Sequence, residues 1–373
     1  MSRLVIISHT PHYKNKYNEF VGLESTVREI NYLSMLFDEL YHVAPLYNNE
    51  AHNATCKYSS NNITFIPIVP TGGKKLINKL GIFFYMPYNF YIIVKSIIKS
   101  DWVHFRAPTN LGLFVLPFMS ILYKRKWVKY AGNWTQYSVP ISYKLQRWWL
   151  KNNLQSSLVT VNGFADPLHS HLLSFKNPCL TEKERQLNKN NGLKKDFNNK
   201  ITFCFVGRIE KHKGFNLLVK AINKIANLDW VQRIHCVGEI IDSELINKIE
   251  VKKNNIFKFH GILNRAELNN IYIDSHFIIL PSNSEGFPKV IAEASSYGCI
   301  PIISKIPSVL YYINNTNGLF LENTNAESII DLIEGIKENR KDLPNLSQNA
   351  MKNIKDFTYE NYKLRILNEI IQI

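Results

Sequence analysis

Short apolar runs alternate along this chain with longer segments whose apolar residues recur at helical spacing. The runs Leu4–Ile7, Trp102–Phe105, Trp127–Tyr130 and Leu158–Val161 predict buried strands, and Ser25–Leu40 predicts an amphipathic helix. The alternation halts at Thr181–Lys200, rich in Asn, Lys and Glu with few apolar residues, which reads as a loop or linker. It restarts with a strand at Ile201–Val206 and a helix at Gly214–Ala226. Strands at Arg233–Val237, Ile256–His260 and Phe277–Leu280 follow, then a helix at Gly286–Tyr297 and a strand at Ile300–Ser304. Strands and helices alternating at this spacing imply parallel sheets covered on both faces. The expected fold class is α/β, with two Rossmann-like domains whose parallel sheets face a central cleft. The boundaries read as an N-terminal domain over 1–175, a polar linker over 176–200 and a C-terminal domain over 201–356. An amphipathic stretch over 357–373 closes the chain.

Two apolar stretches need a membrane test. Leu80–Ile98 contains Pro87, Asn89 and Lys95, and Leu111–Tyr123 falls short of the roughly 20 residues that the hydrocarbon core requires. No spanning helix is expected. The N-terminal run Ser2–Ser8 is too short for a signal-peptide core and reads as a first strand. Five cysteines, widely spaced and without a CxxC pair, support neither a disulfide framework nor a zinc site and point to a reducing compartment. A cytoplasmic location is the expectation, peripheral on the inner face of the cell membrane.

Charge sharpens this picture. The 373 residues carry 45 Lys plus Arg against 30 Asp plus Glu, a formal net charge of +15. At 45% hydrophobic and 20% charged the chain is globular, which excludes disordered and collagenous classes. Between Ala51 and Ala165 stand 14 basic residues and one acid, Asp101. Such an excess fits three anionic partners: nucleic acid, an anionic lipid surface, or a phosphorylated substrate. The alternative is a set of lysine-rich solvated loops. Lys124-Arg125-Lys126 follows an apolar stretch, with five tryptophans nearby, a composition that can seat a protein among lipid headgroups.

Two segments carry chemistry. In Phe205-Val206-Gly207-Arg208-Ile209-Glu210-Lys211-His212-Lys213-Gly214, a strand gives way to a loop with two permanent cations ahead of a helix. Arg208, Lys213 and a helix N-terminus together suit a diphosphate, although GxxxxGK[ST] is absent. In Pro281–Ala294 a strand yields to a Ser/Asn-rich turn and a helix, with Pro288 where its missing N–H costs little. Glu285 and Glu293 lie about 12 Å apart if both are helical, too far to share a proton or a metal. Each can hold hydroxyl groups at opposite ends of an extended ligand, with the amides of Gly286, Phe287 and Lys289 facing it.

The Gly207–Gly214 loop, Phe259-His260-Gly261 and Pro281–Glu293, in this order and spacing, resemble retaining glycosyltransferases of family 4 with the GT-B fold. The resemblance covers most of Ile201–Phe320, including Asn317-Gly318; over the first 165 residues it is mainly architectural. It implies that Arg208 and Lys213 hold the diphosphate of a UDP- or GDP-linked sugar. Glu293 would accept from ribose hydroxyls, and Glu285 with Gly286, Phe287, Pro288, Lys289 and Val290 would meet the sugar. The base would pack near Gly261-Ile262-Leu263 through backbone contacts, Gly207 would belong to the donor-binding loop, and the terminal helix would cross back to the N-terminal domain. Before the first helix Gly22, a donor-binding candidate, stands alone where the family often has two adjacent glycines near the donor phosphates. Arg106 replaces a frequent histidine two residues after His104, and Tyr130-Ala131-Gly132-Asn133-Trp134 lacks another. Arg106 is thus a candidate to stabilise the departing phosphate or an acidic acceptor, or else a structural ion-pair partner. His9, His104, Asn133 and Trp134 are acceptor-side candidates, with core packing the other reading of both histidines.

No Asp-x-Asp occurs, so metal-independent transfer is expected, with no cofactor beyond the nucleotide-sugar substrate. The function expected is transfer of a hexosyl unit to a hydroxyl of a lipid-linked saccharide in surface polysaccharide biosynthesis, beside an anionic membrane and without nucleic acid. A nucleotide-sugar epimerase of GT-B fold and a basic nucleic-acid-binding protein are the rival readings.

Overall fold

A computed structural model describes residues 2–51, 53–71, 76–134 and 139–372. The chain divides into two compact units, one formed by residues 1–176 with 362–373 and the other by 177–361.

The strands of the first unit are β1 (Arg3–Ile7), β2 (His12–Lys14), β3 (Phe20–Leu23), β4 (Glu39–Pro45), β5 (Thr55–Lys57), β6 (Ile63–Ile68), β7 (Trp102–Ala107), β8 (Arg125–Tyr130), β9 (Leu158–Asn162) and β10 (Leu172–Phe175). Seven form one sheet in the order β10-β9-β8-β7-β1-β4-β6, with every pairing parallel. Alternation across β1 explains its two cores: Val5 and Ile7 pack on one face, Leu4 and Ile6 on the other. Tyr362, Ile366 and Ile370 of the C-terminal segment belong to the second of these cores. A small antiparallel sheet, β2-β3-β5, stands apart from the main sheet. Its strands flank the first helix and β4 in sequence, and no expected strand corresponds to any of them.

The second unit contains β11 (Ile201–Val206), β12 (Val231–Val237), β13 (Phe257–Gly261), β14 (Phe277–Leu280), β15 (Ile300–Ser304) and β16 (Leu319–Leu321). These form a parallel sheet in the order β13-β12-β11-β14-β15-β16. All six residues of β11 and all four of β14 are buried, as expected of central strands covered on both faces. The helix Phe215–Lys224 buries Phe215, Leu218, Val219 and Ile222, an i, i+3, i+4, i+7 stripe.

Three expectations change. The helix predicted over Ser25–Leu40 runs only from Glu24 to Ser34, and Leu40 lies in β4. The stretch read as linker contains a helix, Glu182–Gly192, opened by a Thr181–Glu184 capping box. That helix docks by small and polar contacts: Asn188 donates to Ser296 Oγ at 2.9 Å, and a Cβ on Gly192 would lie 2.8 Å from the Tyr297 carbonyl carbon. Without an apolar stripe it left no periodic signal. Glu285 precedes its helix, which begins at Lys289, so the helical-rise estimate of its distance from Glu293 does not apply.

No helix among the described residues is long and apolar enough to cross a membrane. The basic excess is partly absorbed by the fold itself. Lys124 donates to the carbonyls of Ile97, Ile98 and Ser100, and Lys126 to those of Met119 and Leu122. Each thereby satisfies orphan carbonyls at the negative end of a helix.

Candidate functional site

The second unit builds its site at the carboxyl ends of β11 to β14, where ligands of open parallel sheets bind. The chain leaves β11 through Gly207, whose N–H donates to Val237 O, and the adjoining Gly238 N–H donates to Gly261 O. Gly238 has φ 135°, and a Cβ there would lie 2.1 Å from the Gly207 carbonyl oxygen. Three glycines therefore bring three strand ends together with their backbones close. Gly261 also has a left-handed φ of 66°, but with open space around it.

The basic loop and the carboxylate turn meet. Gly214 (φ 76°) passes so near the turn that a Cβ would sit 2.0 Å from the Pro281 carbonyl oxygen. Lys213 Nζ donates to both carboxylate oxygens of Glu285, at 2.7 and 2.8 Å. Ser282 Oγ donates to Glu285 Oε1 at 2.6 Å, and Ser308 Oγ donates to the Glu285 backbone carbonyl at 2.8 Å. Glu285 is thus held from side chain and backbone alike. Arg208 is more than half exposed and pairs with Glu210 at 3.0 Å.

Glu293 lies on the helix Lys289–Ser296 and has its own cation. Arg265 Nη1 donates to Glu293 Oε1 at 2.7 Å, and Arg265 Nη2 donates to the Cys179 carbonyl at 3.0 Å. Burial and the Glu293 carboxylate drive the Tyr272 hydroxyl well above its ordinary pKa, so it stays a donor toward Glu293. Arg265 opens a helix capped by Asn264 and Glu267. No sequence spacing pointed to it, because 28 residues separate it from Glu293. Ser308, 23 residues from Glu285, went unassigned for the same reason, while Ser282, three residues before Glu285, and Gly238, directly after a strand, had a readable local signal.

Other expected residues serve packing. The Lys289 amide donates to Phe287 O at 2.9 Å, so it does not face a ligand as expected. The Phe287 ring packs between Tyr312 and Phe357, and Val290 against the core. Pro288 caps the helix, and Gly286 lies in the turn before it. Ile262 is partly exposed beside Gly261.

In the first unit Gly22 is explained by a neighbour: a Cβ would meet the His12 ring at 2.4 Å. Arg106 is buried, its Nη1 donating to Glu29 Oε1 at 2.6 Å. Lys129 Nζ reaches the same oxygen at 2.7 Å, and Tyr362 OH at 3.1 Å. This is the ion-pair role, with Arg106 Nη1 committed to protein. His104 is fully buried and stacked on Trp127, which makes it a core residue. Trp134 packs edge-on against Tyr130, with Asn133 beside it in the chain. His9 borders a small pocket together with Tyr47 and Tyr143.

Two doubly wound parallel units of this kind are the architecture of GT-B glycosyltransferases. Residues 188–353 match the family described as glycosyl transferases group 1. Its fold resembles sucrose-phosphate synthase from Thermosynechococcus elongatus, with a TM-score of 0.73 and 15% identity over 100% of this chain and 99% of that one. It also resembles Anabaena Alr3699/HepE in complex with UDP and glucose, with a TM-score of 0.70 and 13% identity over 100% of both chains. In sequence, 136 residues are 26% identical to an uncharacterized 41.2 kDa protein in the cps region of Klebsiella pneumoniae. That match covers 36% of each chain.

Proposed function

We propose that this protein is a retaining glycosyltransferase that takes a sugar from a nucleotide diphosphate sugar and passes it to a hydroxyl of a lipid-linked saccharide. One observation carries the reading: two anchored carboxylates and a basic loop converge on the carboxyl edge of the second sheet. Arg208, Lys213 and the N-terminus of the Phe215–Lys224 helix offer positive charge to a diphosphate. Glu285, fixed by Ser282 and Lys213, would hold sugar hydroxyls, and Glu293, fixed by Arg265, would hold those of the ribose. The Anabaena neighbour's complex with UDP and glucose supports this donor class.

The chemistry would be chiefly electrostatic. Pre-positioned cations stabilise the charge that builds on the departing diphosphate, while the acceptor hydroxyl attacks from the same face. Retention of configuration is what the family resemblance implies. The cations at hand and the lack of Asp-x-Asp support metal-independent transfer by a hexosyltransferase.

The Klebsiella relative encoded in a cps region supports a place in surface polysaccharide synthesis. A membrane-facing acceptor is supported by the helix Leu76–Ile98, which exposes Phe84, Tyr85, Tyr88 and Tyr91 beside Lys95 and Lys99. Aromatic and basic side chains on one helix suit the headgroup layer of an anionic membrane.

The test is a thermal-shift panel of UDP, GDP, ADP and their sugars. A rise in melting temperature with one nucleotide class is expected. No shift with any of them, at concentrations up to several millimolar, would overturn the donor reading.

A further inference from the structure

Three helices of the first unit, Leu76–Ile98, Gly112–Ser120 and Ile141–Lys151, cover one face of its parallel sheet. Met86, Ile93 and Ile97 of the first helix share a buried core with Val115, Leu116 and Met119 of the second and Leu150 of the third. The Phe90 and Phe118 rings meet at 5.4 Å, and Leu116, Leu145 and Trp149 line a furrow between the second and third helices. The three helices are thus neighbours in one layer, and their outer surfaces adjoin.

That outer surface is apolar where a solvated helix is polar. Ile141, Leu145 and Trp148 stand at i, i+4, i+7 and are 84%, 47% and 55% exposed, while Gln146 is buried. Gln146 bonds the Thr109 N–H and the carbonyls of Thr109 and Ser142. The third helix therefore turns an amide inward and an apolar stripe outward. The helix Phe215–Lys224 of the second unit shows the ordinary arrangement, burying its apolar stripe and exposing Lys220 and Lys224. On the first helix Phe84, Tyr88, Tyr91 and Ile98 are exposed at i, i+4, i+7 and i+14, a stripe about 21 Å long at 1.5 Å per residue. Phe114 and Ile121 are exposed on the second helix and its cap, with exposed Pro117 between them. A single exposed apolar residue is ordinary, but aligned stripes on three neighbouring helices mark an interaction surface.

Charge selects the partner. The three helices contain five Lys and Arg and no Asp or Glu. Residues 51–165 as a whole contain one acid, Asp101, which accepts from the Arg3 N–H at 2.8 Å. Lys95 lies within the first stripe, and exposed Lys99 and Lys144 adjoin Ile98 and Leu145 in the chain. A second copy of this chain would set cations against cations. An anionic lipid surface meets both halves of the pattern. Its headgroups attract the lysines, and its interfacial layer suits tyrosine and tryptophan, whose rings are apolar and whose tips are polar.

We propose that these three helices form a single docking face that lies on an anionic bilayer and binds it with no acceptor present, the third helix inserting Leu145 and Trp148. The partner is the lipid surface itself and not a lipid-linked saccharide. The proposal rests on the membrane-facing reading above, which it extends from one helix to three, and on no step of the transfer chemistry.

Flotation of the full chain with vesicles tests it, using phosphatidylcholine alone and phosphatidylcholine with about 30% phosphatidylglycerol, both free of glycolipid. Binding to the anionic vesicles should be at least tenfold tighter, and should fall at least fivefold in about 0.5 M salt. Leu145→Ser with Trp148→Ser should weaken it at least tenfold, and Lys95→Glu with Lys144→Glu at least fivefold, with melting temperatures unchanged. The same charge reversal at Lys220 and Lys337 of the second unit should leave binding within twofold. The proposal is overturned if the native chain does not bind anionic vesicles, if it binds both vesicle types equally, or if both folded variants of the face bind as the native chain does. A dimer in sedimentation equilibrium that Leu145→Ser with Trp148→Ser splits would also overturn it, by assigning the face to a second copy. Stabilisation by UDP, measured on the same samples, reports separately on the second unit. Its absence alongside vesicle binding would overturn the donor reading and leave the docking face standing.

Discussion

Lys213 and Glu285 are 72 residues apart in sequence, yet the lysine ammonium bonds both oxygens of the carboxylate within 2.8 Å. The pair joins the basic loop to the carboxylate turn, so a diphosphate binding Lys213 must share it with Glu285. Lys213→Met and Glu285→Gln should each lower kcat/KM at least a hundredfold, about 2.7 kcal/mol of transition-state stabilisation. The double variant should lose much less than the product of the two. Steady-state kinetics on all three decide it, and independent effects would show that the pair does not act as a unit.

Gly214 tests the same junction through the backbone. Gly214→Ala places a methyl group against the Pro281 carbonyl and requires alanine at φ 76°. A stability loss of about 2 kcal/mol or more is expected, together with weaker nucleotide binding. Denaturant titration and nucleotide thermal shift are the measurements. An unaltered midpoint would mean that the two segments can part.

Arg265 bonds Glu293, and on the proposed donor reading it acts through that carboxylate as a positioning residue. Arg265→Lys keeps the charge but not the fork that reaches both Glu293 and the Cys179 carbonyl. The donor KM should rise about tenfold while kcat changes less, since ribose contacts are made in ground and transition states alike. A fall in kcat at constant KM would contradict this role.

In the first unit one carboxylate serves two buried cations. Glu29→Gln removes the carboxylate that both Arg106 and Lys129 bond and should cost about 3–5 kcal/mol. Arg106→Met leaves Glu29 paired with Lys129 and should cost clearly less, with turnover within tenfold of the native value. Chemical denaturation ranks the two variants. A hundredfold drop in turnover for a stably folded Arg106→Met would restore Arg106 to the chemistry.

A neutral relay predicts the acid limb of stability. His12 Nδ1 donates to Thr10 O, Tyr58 OH donates to His12 Nε2, His42 Nδ1 donates to Tyr58, and Ser8 Oγ donates to His42 Nε2. That order requires both imidazoles uncharged. Burial accordingly lowers His12 to about 4 and carries His42 well below its ordinary value. Between pH 6.5 and 4 the unfolded chain takes up protons that folded His12 refuses. Stability is therefore full above pH 6.5 and falls as the pH drops through this window, by about 1.4 kcal/mol per pH unit for each such proton. His276, also lowered to about 4 by burial, adds a parallel contribution in the second unit. His12→Gln should reduce the slope of stability against pH between 4 and 6.5, and an unchanged slope would remove His12 from the account.

Much of the second unit was readable from local pattern. Strand β11, the helix after Gly214 and the turn before Glu293 are marked by apolar runs and glycines whose meaning lies within a few residues. The helix Glu182–Gly192 was not, because it docks through Asn188 and Gly192 rather than an apolar face. The small sheet β2-β3-β5 was hidden for a related reason: its strands are only three or four residues long, and a buried relay from His12 to Ser8 supports them.

The sequence by itself determined the α/β class, the restart after residue 200 and the identity of the two carboxylates and the basic loop. Apolar periodicity and strand-exit glycines are local properties, and a chain carries them before it folds. Only the tertiary structure decided partners. It gave Lys213 to Glu285, Arg265 to Glu293 and Arg106 to Glu29, and it assigned Lys124 and Lys126 to helix ends. A charge is written in the sequence, but its counter-charge is chosen by which strand ends and helix termini become neighbours, and here those neighbours lie from 28 to 77 residues apart for the three ion pairs.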